Sequence, residues 1–287
     1  MSRVAVVGAG TMGNGIAHVF AQHDWDVALV DVAPAALEKA VATIAGNLDR
    51  QVKKGALTAE RRDAALSHVT TTTDLGTAAG AELVVEAAAE SESVKFPLFA
   101  ELDRLAPAGA VLASNTSSIS ITALGARTRR PEAVIGMHFM NPVPVMALVE
   151  VIRGQATSDA TAGRVMAIAR ELGKTPVEVN DYPGFVANRV LMPMINEAVF
   201  CLMEGVASAE SIDTVMRLGM HHPLGPLALA DLIGLDVCLS ILEVLHGGLG
   251  DDKYRPCPLL RRMVAAGQLG RKSGRGFFDY RVAATAP

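Results

Sequence analysis

The stretch that decides the fold is VAVVGAGTMG, residues 4–13, and it is followed eighteen residues later by Asp31. An apolar run, a glycine-rich turn and a helical pattern stand in that order, and a second apolar run, residues 27–30, leads into the acid. This order predicts a strand, a turn, a helix and a second strand, which is the dinucleotide-binding arrangement. The alternative is a plain glycine turn in a parallel sheet, and it leaves Asp31 unexplained.

The glycines of the turn each have a physical task in such a site. Gly8 allows the tight turn, Gly10 lets a pyrophosphate approach the backbone, and Gly13 lets the helix pack against the strand. The helix N-terminus then offers free N–H groups and a partial positive charge to the phosphates. We therefore expect the cofactor to contact the whole turn, which consists of Gly8, Ala9, Gly10, Thr11, Met12 and Gly13.

Asp31 indicates which dinucleotide is bound. Its carboxylate is expected to accept hydrogen bonds from both hydroxyls of an adenosine ribose, whereas the 2′-phosphate of NADP would bring a second negative charge to the same place. Residues 32–36 contain no Arg or Lys that could hold that phosphate. The sequence therefore predicts NAD, or NADH in its reduced form, in preference to NADP.

Composition limits the classes of protein to which the chain can belong. Its 287 residues suffice for one large domain or two ordinary ones, and 50% of them are hydrophobic, so a full core is available. The net charge of −4 gives no indication of nucleic-acid binding. The most apolar late segment, residues 226–245, carries three acids and is too polar to span a membrane.

The cysteines indicate the redox setting. Cys201, Cys238 and Cys257 lie far apart and have no spacing typical of metal ligands, so no metal site is expected. Free thiols fit a reduced, cytoplasmic location.

Periodicity divides the chain into two parts. Up to residue 182, apolar runs alternate with amphipathic stretches, which predicts an α/β domain with a doubly wound, mostly parallel Rossmann-type sheet. Strands are expected at residues 4–7, 27–30, 83–86, 111–113, 134–137 and 148–152, and a long helix at about 35–54. Residues 181–184, DYPG, predict a linker turn. We expect a NAD-binding domain over 1–182 and an all-α domain for substrate binding and dimerisation over 183–287.

The helical signals of the second part are strongest at residues 185–204 and 226–246. A helix over 226–246 would be apolar around much of its circumference and therefore buried on more than one side. Two explanations stay open: a homodimer interface formed by this domain, and a central helix buried within its own domain.

Two polar loops and one acid carry the candidate chemistry. The loops ASNTSS (113–118) and GMHFMNP (136–142) follow predicted strands, and ligands of open parallel sheets bind outside the carboxyl ends of the strands. His138 is a candidate proton carrier because histidine exchanges protons near neutral pH. Glu150 lies in an apolar strand, where an unpaired charge is expensive, and pairing with His138 would remove that cost and orient the imidazole. A structural histidine and a solvated sheet-edge carboxylate are the separate alternatives.

Five segments together resemble the L-3-hydroxyacyl-CoA dehydrogenase family, and most of all its short bacterial 3-hydroxybutyryl-CoA dehydrogenases. They are SNTSS (114–118), GMHFMNP (136–142), LVEVIRG (148–154), DYPGFVANR (181–189) and GRKSGRGFFDY (270–280). The resemblance covers nearly the whole chain, and the motifs match in order and spacing. Met140 departs from the family, which usually has a second Phe there, and changes an apolar side chain beside the site.

The resemblance implies hydride transfer between NAD and a (3S)-3-hydroxyacyl-CoA, with 3-hydroxybutyryl-CoA and acetoacetyl-CoA as the expected pair. A dicarboxylic acyl chain such as 3-hydroxyadipyl stays open. His138 would be the general base for oxidation and the general acid for reduction, with Glu150 as its partner. Ser117 and Asn188 would hydrogen-bond the reacting oxygen or the thioester carbonyl.

The resemblance also implies the binding residues. Glu90, Lys95, Asn115 and Ser117 would serve the nicotinamide half of the cofactor, Lys272 would approach the cofactor, and Asn141 would line the site for cofactor and substrate alike. Arg50 and Lys54 would meet the CoA phosphates, although basic residues at a helix C-terminus also complement the helix dipole. Without the resemblance, several of these residues have plainer explanations: a helix-surface amide for Asn188, a helix cap for Ser117, a solvated ion pair for Glu90 and Lys95, and a turn lysine for Lys272.

Two other functions are compatible with the fold. Sugar-acid dehydrogenases and the related lens crystallins share the architecture, but the segment around their catalytic histidine differs from GMHFMNP. A non-catalytic protein on this scaffold would have a broken catalytic pair, whereas His138, Glu150, Ser117 and Asn188 are all present.

Overall fold

The computed structural model describes residues 2–281. Met1 and residues 282–287, the last six positions of the expected second domain, lie outside the described residues. The chain divides into two compact units, with the division between Tyr182 and Pro183.

The first unit is built on an eight-stranded sheet. Its strands are β1 (Arg3–Val7), β2 (Asp26–Val30), β3 (Val69–Thr72), β4 (Leu83–Glu86), β5 (Val111–Ser114), β6 (Val134–Phe139), β7 (Leu148–Arg153) and β8 (Thr175–Asn180). Their order across the sheet is β3-β2-β1-β4-β5-β6-β7-β8. All neighbouring pairs are parallel except β6 and β7, which run antiparallel. The predicted doubly wound, mostly parallel sheet is confirmed.

The two strands that the sequence did not reveal are the edges of the sheet. β3 reads VTTT and β8 reads TPVEVN, and most of their side chains are exposed or half-buried. Strands of a parallel sheet are recognised by continuous apolar runs only where helices cover both faces. An edge strand with a solvated face lacks that run, so composition alone does not mark it.

Helices cover the faces of this sheet. They are α1 (Thr11–Gln22), α2 (Pro34–Lys53), α3 (Ala59–Ser67), α4 (Glu92–Leu105), α5 (Ile121–Gly125) and α6 (Asp159–Glu171). The fully buried side chains of Ile16 and Phe20 on α1, and of Ile44 and Leu48 on α2, pack with those of the central strands in one core. The long helix expected at about 35–54 is α2.

The second unit is helical. Its helices are α7 (Ala187–Met203), α8 (Ala209–Thr214), α9 (Pro226–Ile233), α10 (Leu235–Leu249) and α11 (Pro258–Ala265). The prediction of a single helix over 226–246 is wrong, because Gly234 separates α9 from α10. Gly234 has φ of 108°, a conformation that glycine adopts without the steric cost that a Cβ would bring.

The packing of α9 and α10 bears on the two explanations offered for this segment. Leu227, Leu235 and Leu242 are fully buried in the core of the second unit, whereas Leu232 and Val237 are 53% and 40% exposed. Much of the apolar surface is therefore covered within the unit, and part of it is not. Among residues 2–281, no helix combines the length and the hydropathy needed to cross a membrane.

Candidate active site

The glycine turn joins β1 to α1 and has the geometry of a phosphate cradle. A Cβ on Gly8, whose φ is 104°, would lie 2.5 Å from the carbonyl oxygen of Ala87, and a Cβ on Gly13 would overlap the carbonyl oxygen of Gly8. A Cβ on Gly10 would meet no atom within 4 Å. Gly8 and Gly13 thus serve close packing, and Gly10 faces open space. No side chain caps the N-terminus of α1, so its first N–H groups suit the phosphates of a dinucleotide.

Asp31 stands at the end of β2 and is held against this turn. Its Oδ2 accepts a hydrogen bond from the Ala9 N–H at 2.7 Å, and its Oδ1 accepts one from the Ala33 N–H at 2.9 Å. These two backbone bonds are not among the expectations drawn from the sequence. Each carboxylate oxygen has two lone pairs, so the half-buried carboxylate retains acceptor capacity for ribose hydroxyls. The turn and Asp31 together fit the adenosine diphosphate half of NAD.

A cavity of about 420 Å³ opens beside the turn. Its lining includes Gly10 and Thr11 of the turn, Asn141 from the loop after β6, and residues of α2. The α2 residues that sequence reasoning missed here are Lys39, Thr43 and Asn47. Their spacing of four residues places them on one face of the helix, and this spacing is the signal that could have found them.

The basic residues expected to meet CoA lie farther along α2. Arg50 is exposed, and its guanidinium donates to the side chain of Asn47. Lys54 is exposed and directly follows the last residue of the helix. Asn47 therefore connects the wall of the cavity to the basic end of α2.

His138 and Glu150 form a buried pair on adjacent antiparallel strands. The register of β6 and β7 sets the two residues directly opposite each other. His138 Nδ1 and Glu150 Oε2 are 2.8 Å apart, and the residues are 8% and 2% exposed. A carboxylate bonded to Nδ1 favours the tautomer with the proton on that nitrogen and stabilises positive charge on the ring. The pair thus has the geometry of a general acid and base with its orienting carboxylate.

Glu90 holds the loop that follows β5. Its Oε1 accepts hydrogen bonds from the backbone N–H groups of Ser117 and Ser118, at 2.8 and 3.0 Å, and from the Thr116 hydroxyl at 2.7 Å. The Ser117 hydroxyl also donates to this oxygen, at 3.2 Å. Burial alone raises the pKa of Glu90, but the Lys95 ammonium and the hydrogen bonds from the loop outweigh it, so the net shift lowers the pKa. The loop is therefore fixed by an ionised carboxylate.

Asn115 links this loop to the strand that carries His138. Its Oδ1 accepts a hydrogen bond from the backbone N–H of Phe139 at 2.9 Å, and its side chain is buried. Phe139 is the residue after His138. The structure therefore brings Asn115, Ser117, Glu90 and His138 together at the carboxyl ends of the central strands β5 and β6.

Lys95 is a buried cation, contrary to the alternative of a solvated helical ion pair. It is 0% exposed, and its Nζ lies 2.6 and 2.9 Å from the two oxygens of Glu86 and 3.4 Å from Glu90 Oε2. Sequence reasoning missed Glu86. The signal that could have found it is its place as an acid at the end of the apolar run LVVE, which parallels the place of Asp31 after β2.

Two expected site residues belong to the second unit. Asn188 is buried in the first turn of α7, where its backbone N–H donates to the carbonyl of Gly184 at 3.1 Å. Lys272 is part of a short 3₁₀ turn, and its Nζ lies 2.6 Å from Asp236 Oδ1 at the start of α10. Within residues 2–281, no three His, Cys, Asp or Glu side chains are grouped as metal ligands would be.

Comparison with known proteins gives the family. Residues 3–182 match the NAD binding domain of 3-hydroxyacyl-CoA dehydrogenase, and residues 184–280 match the C-terminal domain of the same family. The chain is 57% identical to the probable 3-hydroxybutyryl-CoA dehydrogenase of Bacillus subtilis, over 98% of both chains. It is 54% identical to the 3-hydroxybutyryl-CoA dehydrogenase of Bradyrhizobium diazoefficiens, over 100% of this chain and 98% of the relative.

A solved structure extends the likeness to three dimensions. The (S)-3-hydroxybutyryl-CoA dehydrogenase PaaH1 of Ralstonia eutropha superposes with a TM-score of 0.95 at 51% identity, over 98% of this chain and 99% of that one. Both domain models, relatives matched over nearly their full length and the shared fold agree with the site geometry, and the chain belongs to the 3-hydroxyacyl-CoA dehydrogenase family.

Proposed function

We propose that the protein interconverts (3S)-3-hydroxybutyryl-CoA and acetoacetyl-CoA with NAD as its cofactor. The observation that carries the proposal is the buried His138–Glu150 pair, which lies near the carboxyl end of β6, while the glycine turn follows the carboxyl end of β1. The names of the relatives at 54–57% identity support the four-carbon acyl chain. A longer or dicarboxylic chain would appear in the assay as a higher kcat/KM on that thioester than on acetoacetyl-CoA.

His138 moves the proton of the reaction. Its Nδ1 faces Glu150, so exchange with the C3 oxygen of the substrate falls to Nε2. In oxidation Nε2 removes the hydroxyl proton, and in reduction the imidazolium returns it. A bound NAD would supply the acceptor for the hydride of C3, and a bound NADH would supply its donor in the reverse direction. The negative charge of Glu150 stabilises the imidazolium that forms during oxidation.

Side chains around the reacting carbon place the substrate. We assign Ser117 and Asn188 as hydrogen-bonding groups for the reacting oxygen or the thioester carbonyl, and Asn141 to the lining of the site. Preplaced hydroxyl and amide groups offset the charge that develops on oxygen in the transition state. The hydrogen bond from the Ser117 backbone N–H to Glu90 supports this assignment, because it fixes the position of the Ser117 hydroxyl.

The cofactor is held by two groups of residues in this proposal. The turn and Asp31 bind the adenosine half, and a carboxylate at this place favours NAD over NADP. Glu90, Lys95, Asn115 and Ser117 serve the nicotinamide half, and Lys272 is also assigned to the cofactor.

Arg50 and Lys54 bind the phosphates of CoA in this proposal. Both are exposed at the end of α2, where a polyanion can reach them. Lys54→Glu is expected to raise KM for acetoacetyl-CoA about tenfold and to leave KM for NADH unchanged, because only the CoA loses an ionic contact. Equal changes in both constants would contradict the assignment.

His138→Gln tests the proposed reaction. General acid and base catalysis contributes about 10²–10⁴-fold, so kcat for acetoacetyl-CoA reduction is expected to fall by that factor. The dissociation constant of NADH, measured by fluorescence titration, should change less than about threefold. Turnover near that of the wild type would remove His138 from the mechanism.

The assembly and the location complete the proposal. We propose a homodimer formed by the second unit, supported by apolar side chains on its surface, including Leu218, Met220 and Leu232 at 77%, 61% and 53% exposure. Light scattering of the purified protein measures the mass directly. We also propose a cytoplasmic location, supported by the free thiols of Cys201, Cys238 and Cys257.

A further inference from the structure

A fully buried ion pair joins Glu86 to Lys95, one of the residues assigned to the nicotinamide. Glu86 ends β4, Lys95 lies in the first turns of α4, and neither has any exposed surface. Lysine and glutamate are almost never fully buried unless they are paired. The proposed mechanism assigns Lys95 to the cofactor and gives no task to Glu86.

The hydrogen bonds of Glu86 are complete. Its Oε1 accepts from Lys95 Nζ and from the backbone N–H of Ala88, both at 2.6 Å. Its Oε2 accepts from Lys95 Nζ at 2.9 Å and from the Ser114 hydroxyl at 2.6 Å. Three donor groups thus make four hydrogen bonds, which fill the four acceptor positions of the carboxylate. A carboxylate bound in this way is held rigidly, and the ammonium that it contacts is fixed with it.

The same ammonium connects Glu86 to the loop of the active site. Lys95 Nζ lies 3.4 Å from Glu90 Oε2, and Glu90 Oε1 holds the backbone of Ser117 and Ser118. Three charges therefore follow one another from the end of β4 to the loop: negative, positive and negative. Among residues 2–281, Glu86 and Glu90 are the carboxylates recorded within ion-pair distance of this ammonium.

We propose that Glu86 is a positioning residue for the reaction, which holds the Lys95 ammonium in place beside Glu90 and so fixes the loop that serves the cofactor. The proposal rests on the proposed function, in which Lys95 and Glu90 serve the nicotinamide half of NAD. Neither Glu86 nor Lys95 has exposed surface, so Glu86 acts through Lys95 and Glu90 rather than by touching a ligand.

A purely structural ion pair would have different consequences. It would stabilise the fold, and its loss would lower activity only as far as it lowers the amount of folded protein. A positioning residue instead changes the use of one substrate and loses its effect when the residue that it positions is removed. Kinetics of single and double variants separate the two cases.

The test compares Glu86→Gln, Lys95→Met and the double variant. Glu86→Gln is expected to lower kcat/KM for NADH by about tenfold, within the range of coupling between residues of one ion-pair network. KM for acetoacetyl-CoA should change less than about threefold. The double variant should have the same kcat/KM for NADH as Lys95→Met, because Glu86 has nothing left to position.

A matched control lies at the other end of the same strand. Glu82 precedes β4 and pairs with Arg164 on the surface at 2.7 Å, with its side chain 40% exposed. Glu82→Gln removes the same charge from the same segment of chain. Its kcat/KM for NADH should equal that of the wild type, since an exposed pair of this kind contributes little.

The outcomes separate the inference from the proposed function. Two results would overturn the role of Glu86 alone. One is a double variant in which the losses of the two single variants multiply. The other is a Glu86→Gln variant that keeps full kcat/KM for NADH while Lys95→Met is impaired. A Lys95→Met variant with unchanged kinetics would overturn the cofactor role of Lys95 and the inference with it. If Glu86→Gln does not fold, the comparison of the double variant with Lys95→Met decides: equal kinetics support the proposal, and a further loss contradicts it.

Discussion

Replacing Glu150 by glutamine removes the negative charge beside His138 and keeps a side chain of nearly the same size. The imidazole and the carboxylate are in direct contact, at 2.8 Å between Nδ1 and Oε2, and both are almost fully buried. The amide oxygen of glutamine can still accept from Nδ1, so the orientation of the ring survives. The lost interaction is the attraction between the carboxylate and the imidazolium.

The size of that attraction follows from the geometry. With the two charges about 4 Å apart and an effective dielectric constant of about 20, Coulomb's law gives about 4 kcal/mol. At about 1.36 kcal/mol per factor of ten, the whole of this energy corresponds to about 10³ in rate. During oxidation the positive charge of the imidazolium is only partly formed in the transition state, so only part of this energy is lost. We therefore expect kcat for oxidation to fall by about 10²–10³.

The assay is the initial rate of (3S)-3-hydroxybutyryl-CoA oxidation by Glu150→Gln at saturating NAD, the direction in which the imidazolium forms, with the NAD dissociation constant measured separately. Glu178→Gln is the matched control, because Glu178 lies on the neighbouring strand β8 and its side chain is 47% exposed. The control should keep the wild-type kcat within about twofold. A folded Glu150→Gln variant with kcat within threefold of the wild type would refute the electrostatic role of Glu150.

Three further predictions address the cofactor, the packing of the turn and a buried histidine. Asp31→Ser should weaken NADH binding and raise the ratio of NADPH to NADH activity, and unchanged NADH affinity would contradict its role. Gly13→Ala should lower the free energy of unfolding by about 1–3 kcal/mol, because the added Cβ would overlap backbone atoms. Urea unfolding followed by the fluorescence of Trp25 measures this change. Gly46→Ala, whose Cβ has room in α2, should instead stabilise by up to about 1 kcal/mol. Burial lowers the pKa of His18 from 6.5 to about 4, so below pH 6.5 the unfolded chain binds a proton at this histidine and the folded protein does not. Between pH 8 and pH 5, the free energy of unfolding of the wild type should therefore fall by about 2 kcal/mol more than that of His18→Asn. Equal losses in the two proteins would contradict this.

The parts of the fold that the sequence predicts are those where burial dictates composition. The central strands are covered on both faces, so their apolar runs are continuous and their positions can be read directly. The glycine turn is predicted for a related reason, because close packing at Gly8 and Gly13 tolerates no side chain. The edge strands β3 and β8 and the break at Gly234 depend on tertiary contacts and leave no comparable pattern.

In the candidate site, too, some contacts are predictable from the sequence and others are not. The pairing of His138 with Glu150 follows from the cost of a lone charge in an apolar strand, which acts within two neighbouring segments. Nothing local connects Glu86 to Lys95, nine residues later, because the contact depends on how α4 packs against the end of β4. The hydrogen bond that Asp31 accepts from the Ala9 N–H is hidden for a similar reason, since it joins the end of β2 to the turn after β1.

The most direct test of the account is the initial rate of NADH oxidation by the purified protein with acetoacetyl-CoA, with NADPH in a parallel assay. We expect rapid turnover with NADH and much slower turnover with NADPH. No turnover of acetoacetyl-CoA by folded protein that binds NADH would contradict the proposed reaction, and equal or faster turnover with NADPH would contradict the role given to Asp31.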